Sequence, residues 1–278
     1  VDEIGNFPKM IVTAGHVEPA PRRVRGFLGH QVIFDTTRAL YVWDWPYYPQ
    51  YNIPVADVVA AALVDDDHID HAQGDQAHGD QAHGDEDHGH RASAGPSRVI
   101  GLRAGEVERP RGARLYPGGS GHELAGTVRF RWDALDAWFE EDEQIFVHPR
   151  NPYVRVDALR LTRRVRVELD GTVLAESASP VLVFETGLPT RHYLDPTDVD
   201  QTLLVPTTTV TSCPYKGTTD QYWSVRVGGR LHADLAWSYR FTTRELLPIA
   251  GLVAFYDEKV DVFVDDVLED RPISHLAK

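Results

Sequence analysis

The residues best suited to chemistry lie in one twelve-residue run, Thr211-Ser212-Cys213-Pro214-Tyr215-Lys216-Gly217-Thr218-Thr219-Asp220-Gln221-Tyr222, which contains the only cysteine of the chain. Pro214 biases Cys213 toward an extended backbone, and Gly217 permits a positive φ after Lys216, so the run reads as a strand end entering a tight turn. Such turns display functional side chains on a rigid scaffold. Three residues beyond the thiol, Lys216 can favour the thiolate or act as a point charge for a phosphate or carboxylate. The plainer alternative is a buried structural cysteine beside a solvated lysine.

Strands must position this turn. From Val165 to Leu169 and from Thr172 to Leu174 the pattern predicts a hairpin, followed by an apolar strand over 181–184 and a turn at Tyr193-Leu194-Asp195-Pro196. Residues 207–213 alternate, which places Thr207, Thr209, Thr211 and Cys213 on one strand face. A further hairpin is expected around Gly228-Gly229, with Leu231, Ala233, Leu235, Trp237 and Tyr239 on one face. Residues 243–250 carry a short helical turn. The segments 252–256 and 260–264 then read as a closing hairpin around Asp257-Glu258-Lys259. Short strands at this spacing, with few helical periods, argue for a mainly antiparallel all-β fold.

The same pattern occurs twice. Shifting the chain by 141 residues places Arg22, Arg23, Val24, Arg25 and Leu28 over Arg163, Arg164, Val165, Arg166 and Leu169, and Val42, Asp57 and Val58 over Val183, Asp198 and Val199. Turn signals coincide at Gly29-His30 and Asp170-Gly171. The chain is thus a tandem repeat. Expected boundaries are an N-terminal extension over 1–17, a first β domain over 18–150 with an insert at 65–94, a second over 151–268, and a tail over 269–278. In the first copy the ending is matched to 135–147, an apolar segment, an acidic turn and a second apolar segment. Trp43 and Trp45 are expected at a seam between domains.

Where the second copy has its cysteine run, the first has a histidine-rich insert and a Gly118-Gly119-Ser120-Gly121 turn without cysteine or lysine. The insert contains His68, His71, His78, His83, His88 and His90, with Gly-Asp-Gln-Ala-His repeated at His78 and His83. Imidazoles and carboxylates on a polar chain take nickel, zinc, copper or cobalt, and five-residue spacing suits buffering more than catalysis. The alternative is a disordered, solubilising loop.

Composition removes several classes of function. The net charge of −14 is concentrated in the insert, where eight aspartates and Glu86 occur between 65 and 87 without lysine or arginine. No basic surface for sequence-independent nucleic-acid binding is expected. One cysteine forbids an intrachain disulfide and a zinc site of several cysteines, and fits a reducing cytoplasm. No run approaches the length of a membrane span, and residues 1–25 lack an apolar leader, so a soluble cytoplasmic protein is expected.

The Cys213-to-Gly217 run, together with Ala236-Trp237-Ser238-Tyr239, Ala254-Phe255-Tyr256, Phe184-Glu185 and Tyr193 through Val199, resembles the bacterial domain-of-unknown-function 427 family. That family is often labelled nucleotidyltransferase-like. The resemblance covers most of both copies and implies two compact β-tent-like domains related to the Mss4 type, whose better-known relatives bind zinc through paired cysteines. Carried over by motif position are Glu185, Tyr193, Cys213, Tyr215, Lys216, Tyr222, Trp237, Tyr239 and Tyr256. The label implies a transferase. Nucleotidyl transfer uses two metal ions clamped by closely spaced carboxylates, and the second copy has no such pair on one strand. A small-molecule site fits as well, with Cys213 as nucleophile, Lys216 as anchor or electrophile and Glu185 as acid–base partner, walled by Tyr193, Tyr215, Tyr222, Trp237, Tyr239 and Tyr256. For Trp237 the alternative of core packing is favoured. The competing function is metal buffering or interaction through the insert.

Excision of residues 65–91 is expected to remove most nickel or zinc bound by the full chain while leaving its thermal midpoint nearly unchanged. Metal titration with calorimetry on the two chains checks this, and an unaltered stoichiometry would refute it.

Overall fold

The computed structural model describes residues 9–65, 96–119 and 121–274. They divide into two compact units, Ile11–Pro152 and the chain from Tyr153 onward. Both are built from antiparallel sheets, and the helical elements are short 3-10 turns. No helix among the described residues is long and apolar enough to cross a membrane.

Each unit stacks a seven-stranded sheet on a four-stranded one. In the second unit the large sheet runs Val156–Arg160, Val181–Glu185, Arg191–Leu194, Val253–Phe255, Arg230–Ser238, Gln221–Val227 and Leu204–Thr207. Thr172–Ser177, Val165–Leu169, Asp261–Val264 and Val267–Leu268 form the small sheet. The first unit repeats this order strand for strand. Its hairpin Val24–Leu28 and Gln31–Thr36 stands 141 residues before Val165–Leu169 and Thr172–Ser177. Both hairpins close through two residues at positive φ, Gly29 and His30 or Asp170 and Gly171, a backbone that matches strand twist.

The alternation of side chains divides each strand between two environments. Val165, Val167, Leu194, Val225, Ala236, Phe255 and Val262 fill the space between the sheets of the second unit. Val183, Tyr193, Tyr222, Trp237, Tyr239 and Ala254 cover the outer face of the large sheet, beneath the 3-10 turn Arg244–Ile249 with its buried Leu246 and Ile249. This outer face carries the candidate site.

Several local expectations are corrected. The alternation from Leu231 to Tyr239 breaks at a bulge where Asp234 takes φ 46°, so Leu235 turns inward while Trp237 and Tyr239 face outward. The continuous strand over 207–213 stops at Thr207, because the Asp234 carboxylate takes the hydroxyls of Thr207 and Thr209 at 2.8 and 2.7 Å. Cys213 instead lies in a separate two-stranded ribbon, Ser212–Cys213 against Gly217–Thr218. Nor do Val253–Phe255 and Asp261–Val264 form a hairpin. They belong to different sheets, and Asp257 to Lys259 carry the chain between them. The first-unit counterpart is therefore Thr127–Phe130 followed by Ala137–Glu140. Trp43, expected at a seam, is fully buried in the core of the first unit.

The ribbon is held by the hydroxyls of its own sequence. Thr219 donates its amide to the Thr211 carbonyl and accepts the Thr211 amide on its hydroxyl, both at 2.8 Å, and the Ser212 and Thr218 hydroxyls meet at 2.9 Å. At Gly217, φ is 104° and an added Cβ would stand 2.7 Å from the Phe241 carbonyl oxygen. Gly217→Ala is expected to lower the thermal midpoint by at least the equivalent of about 1 kcal/mol. Gly118→Ala, with nothing within 4 Å of the new methyl, should be near neutral. Paired melting curves check the contrast.

Candidate functional site

Glu185 ends a strand on the outward face, and the neighbouring ribbon returns Lys216 toward it. The two side chains are 8% and 10% exposed and form a direct ion pair. On its other side the Lys216 ammonium stands 3.8 Å from the Cys213 sulfur. The turn builds this approach, since Pro214 and Tyr215 fold the chain back so that the amides of Tyr215 and Lys216 also donate to the sulfur. Thr243 fixes the turn, donating its hydroxyl to the Tyr215 carbonyl at 2.5 Å and its amide to that of Lys216 at 3.2 Å.

Electrostatics follow from burial. Burial alone would pull the Lys216 ammonium down, but Cys213, Glu185 and Tyr193 more than offset it and its pKa is raised. Burial pushes the Cys213 thiol up, and Lys216 only partly opposes it. Lys216 therefore acts in the direction the sequence suggests, yet desolvation wins and the resting sulfur is a thiol. Tyr193, enclosed completely, is pushed up to about 12.

The aromatic residues named from the sequence surround this centre. Trp237 donates its indole N–H to the Tyr193 hydroxyl at 3.4 Å. Tyr222 and Tyr256 join their hydroxyls at 3.1 Å, and Trp237 lies 4.5 Å from the Tyr256 ring. Tyr239 is buried, and burial raises its hydroxyl pKa first, with Tyr193, Cys213, Tyr222 and Glu185 adding to the shift. Tyr193, Tyr222, Trp237 and Tyr239 belong to one apolar cluster with Val183 and Ala254, so core packing describes Trp237 as fully as a pocket wall does. Tyr215 is half-buried. The six insert histidines lie outside the described residues. Among the described residues no three His, Cys, Asp or Glu side chains converge in a way that could hold a metal ion.

Sequence reading missed Arg191. Its guanidinium is buried, forms two 2.6 Å bonds to Glu258, and lies 5.9 and 5.7 Å from the Trp237 and Tyr256 rings. On the opposite face of the same strand, buried His192 meets Asp257 at 3.1 Å. Two cationic residue types inside a short apolar strand were the available signal.

The first unit keeps half of this arrangement. Asp44 occupies the position of Glu185 under the 141-residue shift, but its partner is Arg129, which also donates to Asn52 at 2.9 Å and lies 5.8 Å from the Tyr116 ring. Sheet pairing puts Arg129 where the second unit has Ala254, because Asn52 pairs with Arg129 as Tyr193 pairs with Ala254. The carboxylate and a cation persist, supplied by different strands, and the thiol is missing.

These features define a tandem all-β protein whose second unit encloses a thiol–lysine–carboxylate centre. The model of the family described as domain of unknown function, DUF427, matches residues 16–89 and 157–266, and the chain belongs to that family. A search of curated proteins finds no match.

Labelling of Cys213 by a neutral alkylating reagent is expected to be slower than that of a model thiol at neutral pH and to rise as pH climbs beyond the ordinary thiol range. Lys216→Met removes the charge that lowers the thiol pKa and should slow labelling further. Glu185→Gln removes one that raises it and should speed labelling. Rates indifferent to both changes, or labelling only in denaturant, would refute the described electrostatics.

Proposed function

We propose that the second unit is the working half of the protein, binding a small molecule at the Cys213–Lys216–Glu185 centre with Cys213 as the reactive group. One observation carries this reading. Three ionisable groups, two from one turn and the third from a strand 31 residues away from Lys216 in the chain, are gathered in a largely desolvated site, with Lys216 touching both others. Perturbed, mutually coupled groups of this kind cluster at functional sites, and a buried ion pair by itself adds little stability.

In this reading Lys216 anchors an anionic group or polarises a carbonyl of the ligand. Where the ligand presents a carbonyl, Cys213 adds to its carbon as the C=O π pair moves onto the oxygen beside Lys216, and Glu185, joined to the sulfur through Lys216, is the group available to accept the thiol proton. Tyr193, Tyr222, Trp237 and Tyr239 form the apolar wall behind the reacting atoms, with Tyr256 and Tyr215 at its margins. Nucleotidyl transfer is the weaker alternative, because its two-metal mechanism needs several converging carboxylates and the donor set around Cys213 does not provide them. The paired-cysteine zinc chemistry implied by more distant relatives does not fit for the same reason.

Screening the full chain against a panel of small carboxylates, phosphates and carbonyl compounds by thermal shift tests the reading. A compound that stabilises the natural protein should lose its effect in Cys213→Ser and Lys216→Met, provided each variant melts cooperatively. Ligands whose shifts survive both substitutions would place binding elsewhere and overturn the assignment.

A further inference from the structure

The outer face of the large sheet differs in chemistry between the two units. In the second, Tyr193, Ala254 and Trp237 stand opposite one another on adjacent strands and belong to one apolar cluster. The same row in the first unit reads Asn52, Arg129 and Arg114. Directly opposed residues of antiparallel strands point to one face, so two guanidinium groups are neighbours there, with Tyr116 two residues beyond Arg114 on the same face. Like charges in that relation repel each other.

We propose that this row is an anion site, taking the oxyanion group of a small molecule, a carboxylate or a phosphate, between Arg129 and Arg114. Its donors and acceptors do not balance without one. Among the described residues, Asp44 is the one carboxylate paired with these arginines, and it pairs with Arg129 alone. Arg129 also donates from Nε to the Asn52 side-chain oxygen at 2.9 Å, and Asn52 is fixed in turn by donating to the Thr127 hydroxyl at 2.8 Å. The remaining nitrogen of Arg129, Nη2, is buried and has no partner among the described residues. Burying a donor unpaired forfeits its hydration, and only an acceptor that reaches it restores the loss. Arg114 forms no ion pair among the described residues. It is half-buried and tied by one 3.2 Å contact from Nη1 to the Ser97 hydroxyl. Tyr116 supplies a further donor, since the Arg129 guanidinium lies 5.8 Å from its ring and its hydroxyl donates to no described residue. Burial raises the Tyr116 pKa, Arg129 opposes this, Asp44 adds to it and Arg114 opposes it, so both guanidinium groups are within electrostatic reach of that hydroxyl. An oxyanion entering beside Arg114, whose long side chain can swing on its single neutral contact, accepts from Nη2 of Arg129 and from the planar fork of Arg114 and lies between the two like charges. A cation satisfies none of these donors.

Isothermal titration of the full chain with inorganic phosphate and, separately, with acetate, at constant ionic strength in chloride, tests this. Saturable binding of at least one is expected, phosphate alone marking the ligand group as a phosphate and acetate alone as a carboxylate. Arg114→Gln leaves Arg129 with Asp44 and Asn52 and should weaken the binding at least about tenfold, the worth of one hydrogen bond to a charged group. Should that variant not melt cooperatively, Tyr116→Phe, which keeps the ring beside Arg129 and removes the hydroxyl, serves in its place and should also weaken binding. The inference fails if neither anion saturates, or if the folded variant binds as the natural chain does. It fails too if the binding is lost in Lys216→Met and kept in Arg114→Gln, because the anion then sits at the centre of the second unit.

Discussion

The second unit depends on keeping the ammonium of Lys216 out of water. Moving a charge into the interior costs several kcal/mol, and the attraction of one carboxylate repays this only when the remaining donors are also used. Here Glu185 takes one side of the ammonium and the Cys213 sulfur lies on the other. Everything that places these groups serves that constraint. Gly217 lets the ribbon pass beneath the Phe241 carbonyl, threonine hydroxyls lock its two ends, and Thr243 fixes the turn between them. Tyr222 and Tyr256 join their hydroxyls and Tyr193 accepts from Trp237, so these aromatic side chains lie near a charge with their own polar atoms partnered.

The two units show which parts of this arrangement are separable. Both retain a carboxylate at the same strand end and a buried or half-buried cation against it, but Arg129 comes from the sheet itself whereas Lys216 comes from the added ribbon. The connection that carries the ribbon in the second unit, between Leu204–Thr207 and Gln221–Val227, corresponds to the one containing the histidine-rich insert in the first. One topological position therefore carries two different sequences on one scaffold. The thiol belongs only to the version with a buried lysine, which is why the second unit is taken as the reactive one.

Much of this was legible in the sequence because side-chain period and turn chemistry are local. The doubled Arg-Arg-Val-Arg pattern, the Asp170-Gly171 and Gly228-Gly229 turns and the apolar strand ending in Glu185 gave the repeat and the all-β class. The run from Thr211 to Tyr222 and the carried-over tyrosines gave the members of the centre. Long-range partners were not legible. Nothing local places Glu185 beside Lys216, pairs Arg191 with Glu258, or assigns Val253–Phe255 and Asp261–Val264 to different sheets. The bulge at Asp234 was hidden too, since the partners of its carboxylate, Thr207 and Thr209, lie on another segment of the chain. The direction of the Cys213 shift required burial to be known, because nearby charge and desolvation act oppositely on a thiol.

The central claim is that the buried pair is maintained for the chemistry of Cys213 rather than for stability. A double-mutant cycle in chemical denaturation measures this most directly. Lys216→Met alone should cost about 3–5 kcal/mol by leaving a buried carboxylate without its partner, whereas Lys216→Met with Glu185→Leu should match the natural protein or exceed it by up to about 4 kcal/mol. The double variant should at the same time lose the lysine-dependent labelling of Cys213. A double variant as unstable as the sum of the single losses would contradict the account and make the pair a structural element of the fold.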